Sequence, residues 1–407
     1  MGGSMPHPTT RAQRPGPIIW VASLTAGLLT SGMQGIVPAI PAIRDHFGLD
    51  NFEISLITGV YLLPGVFSAF AAGWLSQRIG ERPVVIGGLV VYGLGGVTLL
   101  VTHDLGTLLA VRFCQGIVFG ALLSITVGII GSVAPSGPMA HRGQSRRIVV
   151  MAASEALFPV VGGFLLAVSW YAPFAMQITT LPLAVVAWFV LPPRRPRASS
   201  PTGPAAAAVS VWKAPAIVGV QVLAAARFIF KFSMLTYAPV LAVDLVGMSP
   251  ALLGQIIGLS SVLAVITALL SERMAARLRS SELILACMLL IAVSLILIGS
   301  AASVWVVAIG LLIYGVQDGV FGVAHNVLVN ELAPAGSRMA YVGLTGTVRN
   351  TGKFLAPLLF GAGTLVLSLS DTFFAFAAVS VLSAVVAQRV ARTQRALERA
   401  GPGESAG

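Results

Sequence analysis

Long apolar runs recur along almost the whole of this sequence, and they constrain its fold more than any other feature. A transmembrane helix needs about 20 consecutive, mostly apolar residues. Runs of that kind, numbered here as spans 1 to 12, lie at 17–42, 53–76, 83–102, 106–133, 147–169, 173–193, 214–242, 250–270, 282–301, 304–332, 338–368 and 372–391. Only 10% of the residues are charged, against about 25% in soluble proteins. The sequence therefore predicts an all-α polytopic membrane protein and excludes soluble, disordered and disulfide-rich classes.

The basic residues predict how the chain is oriented. Lys and Arg concentrate in the cytoplasmic loops of membrane proteins. Nearly all of the Lys and Arg residues outside the spans fall on the side of the two termini, and Arg44 alone falls on the other side. We therefore expect both termini to be cytoplasmic, in a bacterial inner membrane. This distribution accounts for the net charge of +11 without a nucleic-acid partner.

The polar segments divide the chain into two groups of six spans. The stretch 194–213 is the only long polar connection and is rich in Pro, Ser and Ala, as flexible linkers are. Met1–Ser4 precedes a second methionine, and we expect it to be a cloning remnant. The predicted order is a cytoplasmic tail (1–16), a six-helix bundle (17–193), a cytoplasmic linker (194–213), a second six-helix bundle (214–391) and a cytoplasmic tail (392–407).

The two groups of spans repeat each other. Gln115–Gly120 in span 4 matches Gln317–Gly322 in span 10 at four of six positions. Pro159 and Gly163 in span 5 match Pro357 and Gly361 in span 11 at the same spacing. A parallel six-span repeat predicts two pseudo-symmetric bundles, with a substrate site near the bilayer midplane between them.

Three local motifs carry a family resemblance. Residues Gly73–Arg82 follow most of the pattern G-x-L-x-D-R-x-G-R-[RK], Arg112–Gly116 fit R-x-x-Q-G, and Phe158–Gly163 fit the end of a G-P-x-x-G-G series through Pro159, Gly162 and Gly163. On these motifs the chain resembles the major facilitator superfamily, and within it the twelve-span drug/proton antiporters. The resemblance implies the two-bundle major facilitator fold and proton-coupled efflux of a small amphiphilic drug or metabolite by alternating access.

The first motif departs from the family at one important position. Its acidic residue is Gln77 here, and the second copy of the motif carries an acid, Glu272. In the family that carboxylate is thought to lock the two bundles. The departure either moves this role to Glu272 or leaves the gate without it. The resemblance assigns gating to Gly73, Arg78, Gly80, Arg82, Glu272 and Arg273.

Charged residues inside the spans are the main indication of a functional site. Each costs about 2.5–3.5 kcal/mol to insert, so it must pair or line a hydrated cavity. Glu155 and Asp318 are candidates for proton coupling, and five cations are candidates for binding substrate: Arg112, Arg227, Lys231, Arg349 and Lys353. The local excess is +3. Alternatively, Glu155 and Lys353, which occupy equivalent repeat positions, form a static salt bridge. Four polar residues line the pathway or join helices: Gln115, Gln317, Asn326 and Asn350.

Two transport functions agree with these features. The first is proton-coupled efflux, and the alternative is a uniporter or symporter of an organic anion or lipid-like solute. The sequence has no nucleotide-phosphate loop and no Cys/His metal cluster, so we expect no enzymatic activity, no cofactor and no metal. The expected partners are a small-molecule substrate, anionic or amphiphilic, together with protons and the lipid bilayer. We expect a monomer.

Overall fold

The computed structural model describes residues 15–134, 137–193, 215–332 and 338–400. Within these ranges every regular element is helical. The predicted linker 194–213 lies outside the described residues, as do Met1–Ser4, the rest of the first tail up to residue 14, and residues 401–407.

The helices follow the predicted spans closely. Span 1 comprises Pro15–Leu29, Ser31–Gln34, a short 3-10 turn at Val37–Ala39, and Ile40–Phe47. Span 2 comprises Ile54–Leu62 and Gly65–Ile79. Spans 3 to 6 are Glu81–Val101, Leu105–Val133, Gly137–Leu165 and Ala172–Val190, the last beginning with a 3-10 turn up to Thr179. Spans 7 to 12 are Pro215–Asp244, Pro250–Ala275, Ser280–Ser300, Val304–Leu332, Arg338–Thr364 and Leu369–Ala400.

Ten of the described helical segments are long and apolar enough to cross a membrane, and the bent pair that forms span 2 raises this number to eleven. Span 11 is helical but is not among them, because Arg349, Asn350 and Lys353 make its sequence more polar. The structure thus supports a polytopic all-α fold, and the apolar criterion supports ten or eleven of the twelve predicted spans.

Gly and Pro residues explain where the helices break. Proline lacks a backbone N–H and cannot continue the hydrogen-bond ladder, and span 2 is interrupted just before Gly65, at Pro64. Between spans 2 and 3 the chain turns at Gly80, whose φ is +94°, a conformation that favours glycine. Asp104 caps the N-terminus of span 4: its side chain accepts a hydrogen bond from the Thr107 N–H at 2.7 Å, and this hydrogen bond lowers the pKa of the Asp104 carboxyl.

The bundle has two ends, which we name by their residues. The proximal end holds the start of span 1, at Pro15, and Arg395 in span 12; the distal end holds Phe47, Asp244 and Pro250. Each half has its own apolar core. The two halves contact each other mainly through span 5 against span 8 and span 2 against span 11.

Candidate functional site

The motif of span 5 brings the backbones of the two halves into contact near the distal end. A Cβ atom on Gly163 would lie 2.5 Å from the Pro250 carbonyl oxygen of span 8, and one on Gly162 would overlap the Gly35 carbonyl oxygen of span 1. In return, the Pro159 carbonyl oxygen occupies the space beside Gly254. Only glycine permits such approaches, so these motif residues form a joint between spans 1, 5 and 8.

An ion pair joins the two halves at the distal end, beside this joint. The Arg44 guanidinium in span 1 donates two hydrogen bonds to the Asp244 carboxylate at the end of span 7. Arg44 also pairs with Asp45 at 2.6 Å. The single basic residue predicted on this side of the membrane therefore connects the two halves. Its partner Asp244 was not among the predicted site residues.

A three-residue ion cluster lies between spans 7 and 10. Asp318 accepts a hydrogen bond from Arg227 at 2.6 Å and another from Lys231 at 2.8 Å. Arg227 also donates to the Asp318 backbone carbonyl at 3.1 Å. Because Arg227 and Lys231 are four residues apart, they lie on one helix face. The structure places the Asp318 carboxylate between them.

A small cavity opens beside this cluster and joins the two halves. It measures about 40 Å³, which is room for about three water molecules at 10–15 Å³ each. Its polar lining includes Gln34 and Glu155 from the first half and Lys231, Ser260, Tyr314 and Asp318 from the second. Both predicted carboxylates therefore line one cavity between the bundles.

Glu155 and Lys353 do not form the salt bridge considered from the sequence. Among the described residues, Glu155 has no hydrogen bond and no ion pair within 4.0 Å. The Lys353 ammonium instead lies over the rings of Phe228 and Phe232, at 5.4 and 5.8 Å from their centroids.

Arg349 lies one turn before Lys353 on span 11. It donates a hydrogen bond to the Asn326 amide oxygen of span 10 at 2.6 Å. Its guanidinium carbon is 5.7 Å from the centroid of Phe228. Asn350, the next residue, donates to the Gly65 carbonyl oxygen at 3.2 Å and so joins span 11 to span 2 across the halves.

Arg112 and Gln115 are placed differently from the other candidates. Arg112 is 1% exposed and donates to the Gly32 and Ile57 carbonyl oxygens. Gln115 donates to the Tyr92 carbonyl oxygen at 3.1 Å and to Gln177. These contacts all lie within the first half. Without Arg112, the charged candidates comprise four cations and two carboxylates, an excess of +2, and three of them, Glu155, Lys231 and Asp318, line the cavity.

The gating motif after span 2 lies at the proximal end. The Arg78 guanidinium lies 3.9 Å from the ring centroid of Trp74. Arg82 donates to the Trp188 carbonyl oxygen at 2.5 Å, and no atom lies within 4 Å of a Cβ built on Gly73. Arg273, in the second copy of the motif, lies in the last turn of span 8. The side chain of Glu272 lies outside the described part of the structure.

Sequence reasoning missed most of the residues that line the cavity, among them the polar side chains of Ser260, Ser261 and Tyr314. The internal repeat offers a signal for Tyr314, which stands in span 10 where Arg112 stands in span 4. Gln317, also in span 10, is fully buried. No group of three or more His, Cys, Asp or Glu side chains in the described ranges could hold a metal ion.

Several curated proteins are similar to this chain. The multidrug efflux protein YfmO of Bacillus subtilis is 25% identical over 232 residues, which are 54% of this chain and 55% of YfmO. The chloramphenicol resistance protein CraA of Acinetobacter baumannii is 31% identical over 170 residues, 40% of this chain and 39% of CraA. The chain thus matches about half, or less, of the length of these relatives.

Solved structures share the fold. The nucleoside transporter NupG superposes with a TM-score of 0.77 at 9% identity, over 93% of this chain and all of NupG. A bacterial homologue of the human lysosomal transporter Spinster gives 0.72 at 13% identity over 96% of each chain. A sequence model described as Major Facilitator Superfamily matches residues 21–357 and 223–406. This match covers most of the chain, which therefore belongs to the Major Facilitator Superfamily of transporters.

Proposed function

We propose that this transporter exports a small amphiphilic drug or metabolite in exchange for protons. The observation that carries the proposal is the cavity between the halves, which holds Glu155 from one half and Asp318 from the other. The relatives named for multidrug efflux and chloramphenicol resistance support the export direction.

Asp318 is the first proton-coupling residue in this proposal. Its two carboxylate oxygens bind Arg227 and Lys231, so a proton on Asp318 removes the charge that holds both cations. Removing the carboxylate charge leaves two like charges facing each other on span 7, and they repel. Protonation thereby changes how span 7 packs against span 10.

Glu155 is the second proton-coupling residue. It lies one helical turn before Pro159, which contacts span 8 through its carbonyl oxygen. A change of charge at Glu155 therefore acts next to the joint between the halves. In the alternating-access cycle, the distal ion pair of Arg44 and Asp244 is closed while solute enters from the proximal end, and it breaks when solute leaves. The proximal end is the cytoplasmic one in this proposal, in agreement with the basic residues there.

Transport in proteoliposomes with an imposed pH gradient tests the coupling. A panel of amphiphilic fluorescent dyes serves as probes. We expect Asp318→Asn and Glu155→Gln each to reduce gradient-driven accumulation about tenfold or more, because each removes one protonatable group. Asp371→Asn, at an exposed distal carboxylate, is the matched control and keeps wild-type activity. Wild-type coupling in both cavity variants, with folded protein, would refute the proposal.

A second candidate function follows from the excess of positive charge around the cavity. A uniporter or symporter of an organic anion needs cations in the pathway but no protonatable exchange group. In that case an anionic dye moves down its own gradient at the same rate with and without an opposed pH gradient. If a pH gradient that drives protons opposite to the dye accelerates dye transport, the first function is favoured instead.

A further inference from the structure

Three cations surround one aromatic ring in the centre of the protein. The guanidinium carbons of Arg227 and Arg349 lie 4.8 and 5.7 Å from the centroid of Phe228, and the Lys353 ammonium lies 5.4 Å from it. The cations come from spans 7 and 11. A ring face attracts a cation, but it does not neutralise its charge.

Two of these cations have no acidic partner among the described residues. Asp318 binds Arg227 and Lys231. The hydrogen bond described for Arg349 goes to the neutral side chain of Asn326, and Lys353 contacts only rings. Buried unpaired charges are costly, and Arg349 and Lys353 also repel each other. Their placement is explained if an anion from outside the protein occupies the space between them.

The guanidinium groups also have unused donors. In the described structure the Nε atoms of both Arg227 and Arg349 are buried without a hydrogen-bond partner. An arginine presents several N–H donors in a plane that matches an oxyanion such as a carboxylate or phosphate. Arg227 precedes Phe228 on span 7 and Arg349 comes from span 11, and their guanidinium carbons lie 4.8 and 5.7 Å from the Phe228 ring centroid.

An apolar surface continues from the cations. Phe228 and Phe232 are one turn apart on span 7, with their centroids 6.4 Å apart and their planes nearly parallel. Lys353 lies over both rings. Phe228 is partly buried and Phe232 is buried behind it, so a ligand that places an oxyanion beside Arg349 and Lys353 brings an apolar body first against Phe228.

We infer that the substrate is an amphiphilic anion, with a carboxylate, sulfonate or phosphate bound by Arg349 and Lys353 and an apolar body held by Phe228 and Phe232. The inference deepens the proposed function and rests on it for the role of the cavity as the pathway.

Binding of two matched probes to the purified protein tests this inference. 2-Naphthoate carries a carboxylate, and 2-naphthamide is its uncharged analogue of nearly the same shape. We expect naphthoate to bind about tenfold more tightly or better, because charge-assisted hydrogen bonds are the stronger ones. Lys353→Gln and Arg349→Gln should each remove most of that preference without weakening the binding of naphthamide, whereas Lys353→Arg should retain it.

Arg146→Gln is the matched control, because Arg146 lies over Trp20, away from the cluster, and its loss should change neither affinity. Thermal melting of each variant verifies the fold. Equal affinity for the two probes, no binding of naphthoate at millimolar concentration, or an unchanged preference in both Gln variants would overturn the inference. Preferential naphthoate binding in a protein that ignores the pH gradient would refute proton exchange and retain the anion site.

Discussion

The two halves of the protein share one helical plan but treat buried polar groups differently. In the first half, Arg112 and Gln115 bind backbone carbonyls and a neutral amide. In the second half, Asp318 forms two ion pairs, and Arg349 and Lys353 have no acidic partner among the described residues. The first half therefore uses these two polar groups to hold helices together and places one charged residue, Glu155, at the cavity, whereas the second half places Lys231 and Asp318 there.

The repeat shows why one pair of equivalent positions, 116 and 318, carries a carboxylate in only one half. Asp318 stands where Gly116 stands in span 4. A Cβ on Gly116 would overlap the Tyr61 carbonyl oxygen of span 2, whereas in span 10 the equivalent close approach is made by Gly319, against the Ala264 carbonyl oxygen of span 8. A shift of one residue in the packing glycine thus leaves position 318 free to carry a charged side chain.

The strongest test of this difference uses another pair of equivalent glycines. A Cβ on Gly120 would overlap the Ser68 hydroxyl and approach Gly65, whereas a Cβ on Gly322 meets only the Arg227 guanidinium, at 3.8 Å. We expect Gly120→Asp to lower the free energy of unfolding by about 3 kcal/mol or more, since it adds both an unpaired charge and excess volume. The free energy of unfolding of Gly322→Asp should stay within about 1 kcal/mol of the wild-type value, because the new carboxylate can pair with the Arg227 guanidinium. Thermal melting in detergent measures both, and similar losses would contradict the assignment of charge tolerance to the second half.

A smaller effect is expected at Arg112. The sequence predicted that this residue binds substrate, whereas in the structure it binds backbone carbonyls. Arg112→Lys keeps the charge but loses the planar donor group. We expect a loss of about 1–3 kcal/mol in stability from the unpaired carbonyls of Gly32 and Ile57, with the pH dependence of transport unchanged. A variant that melts like wild type but no longer couples transport to protons would place Arg112 in the transport mechanism after all.

The smallest effect concerns a hydroxyl chain within the first half. The Tyr92 hydroxyl donates to the Leu29 carbonyl oxygen at 2.7 Å and lies 3.0 Å from the Tyr61 hydroxyl. Tyr92→Phe should cost about 1 kcal/mol, the typical net value of a hydrogen bond, and leave transport rates unchanged. Tyr171→Phe is the control, because the described contact of Tyr171 is made by its ring, against His103. An altered transport rate in Tyr92→Phe would mean that this hydroxyl chain also takes part in coupling.

Sequence patterns predicted the helices, and they succeeded because the length of an apolar run acts locally. The motif of span 5 was identified by resemblance alone, and the contacts of Gly162 and Gly163 with spans 1 and 8 could not be predicted from it. The partners of the charged residues were harder to predict. Helical spacing places Arg227 and Lys231 on one face, but only the packing of span 10 against span 7 brings Asp318 to both. For the same reason the sequence could not separate Arg112 from the other cations, nor pair Arg44 with Asp244.

The contact of Gly162 with Gly35 and of Gly163 with Pro250 consists largely of main-chain atoms. Main-chain atoms have no rotamers to exchange, so the surfaces can part and return without any side chain finding a new position. The spacing of the contact is therefore set by atomic radii. In the proposed alternating-access cycle this joint can reform without a change of rotamer, whereas an added methyl group at Gly162 or Gly163 would prevent the close contact.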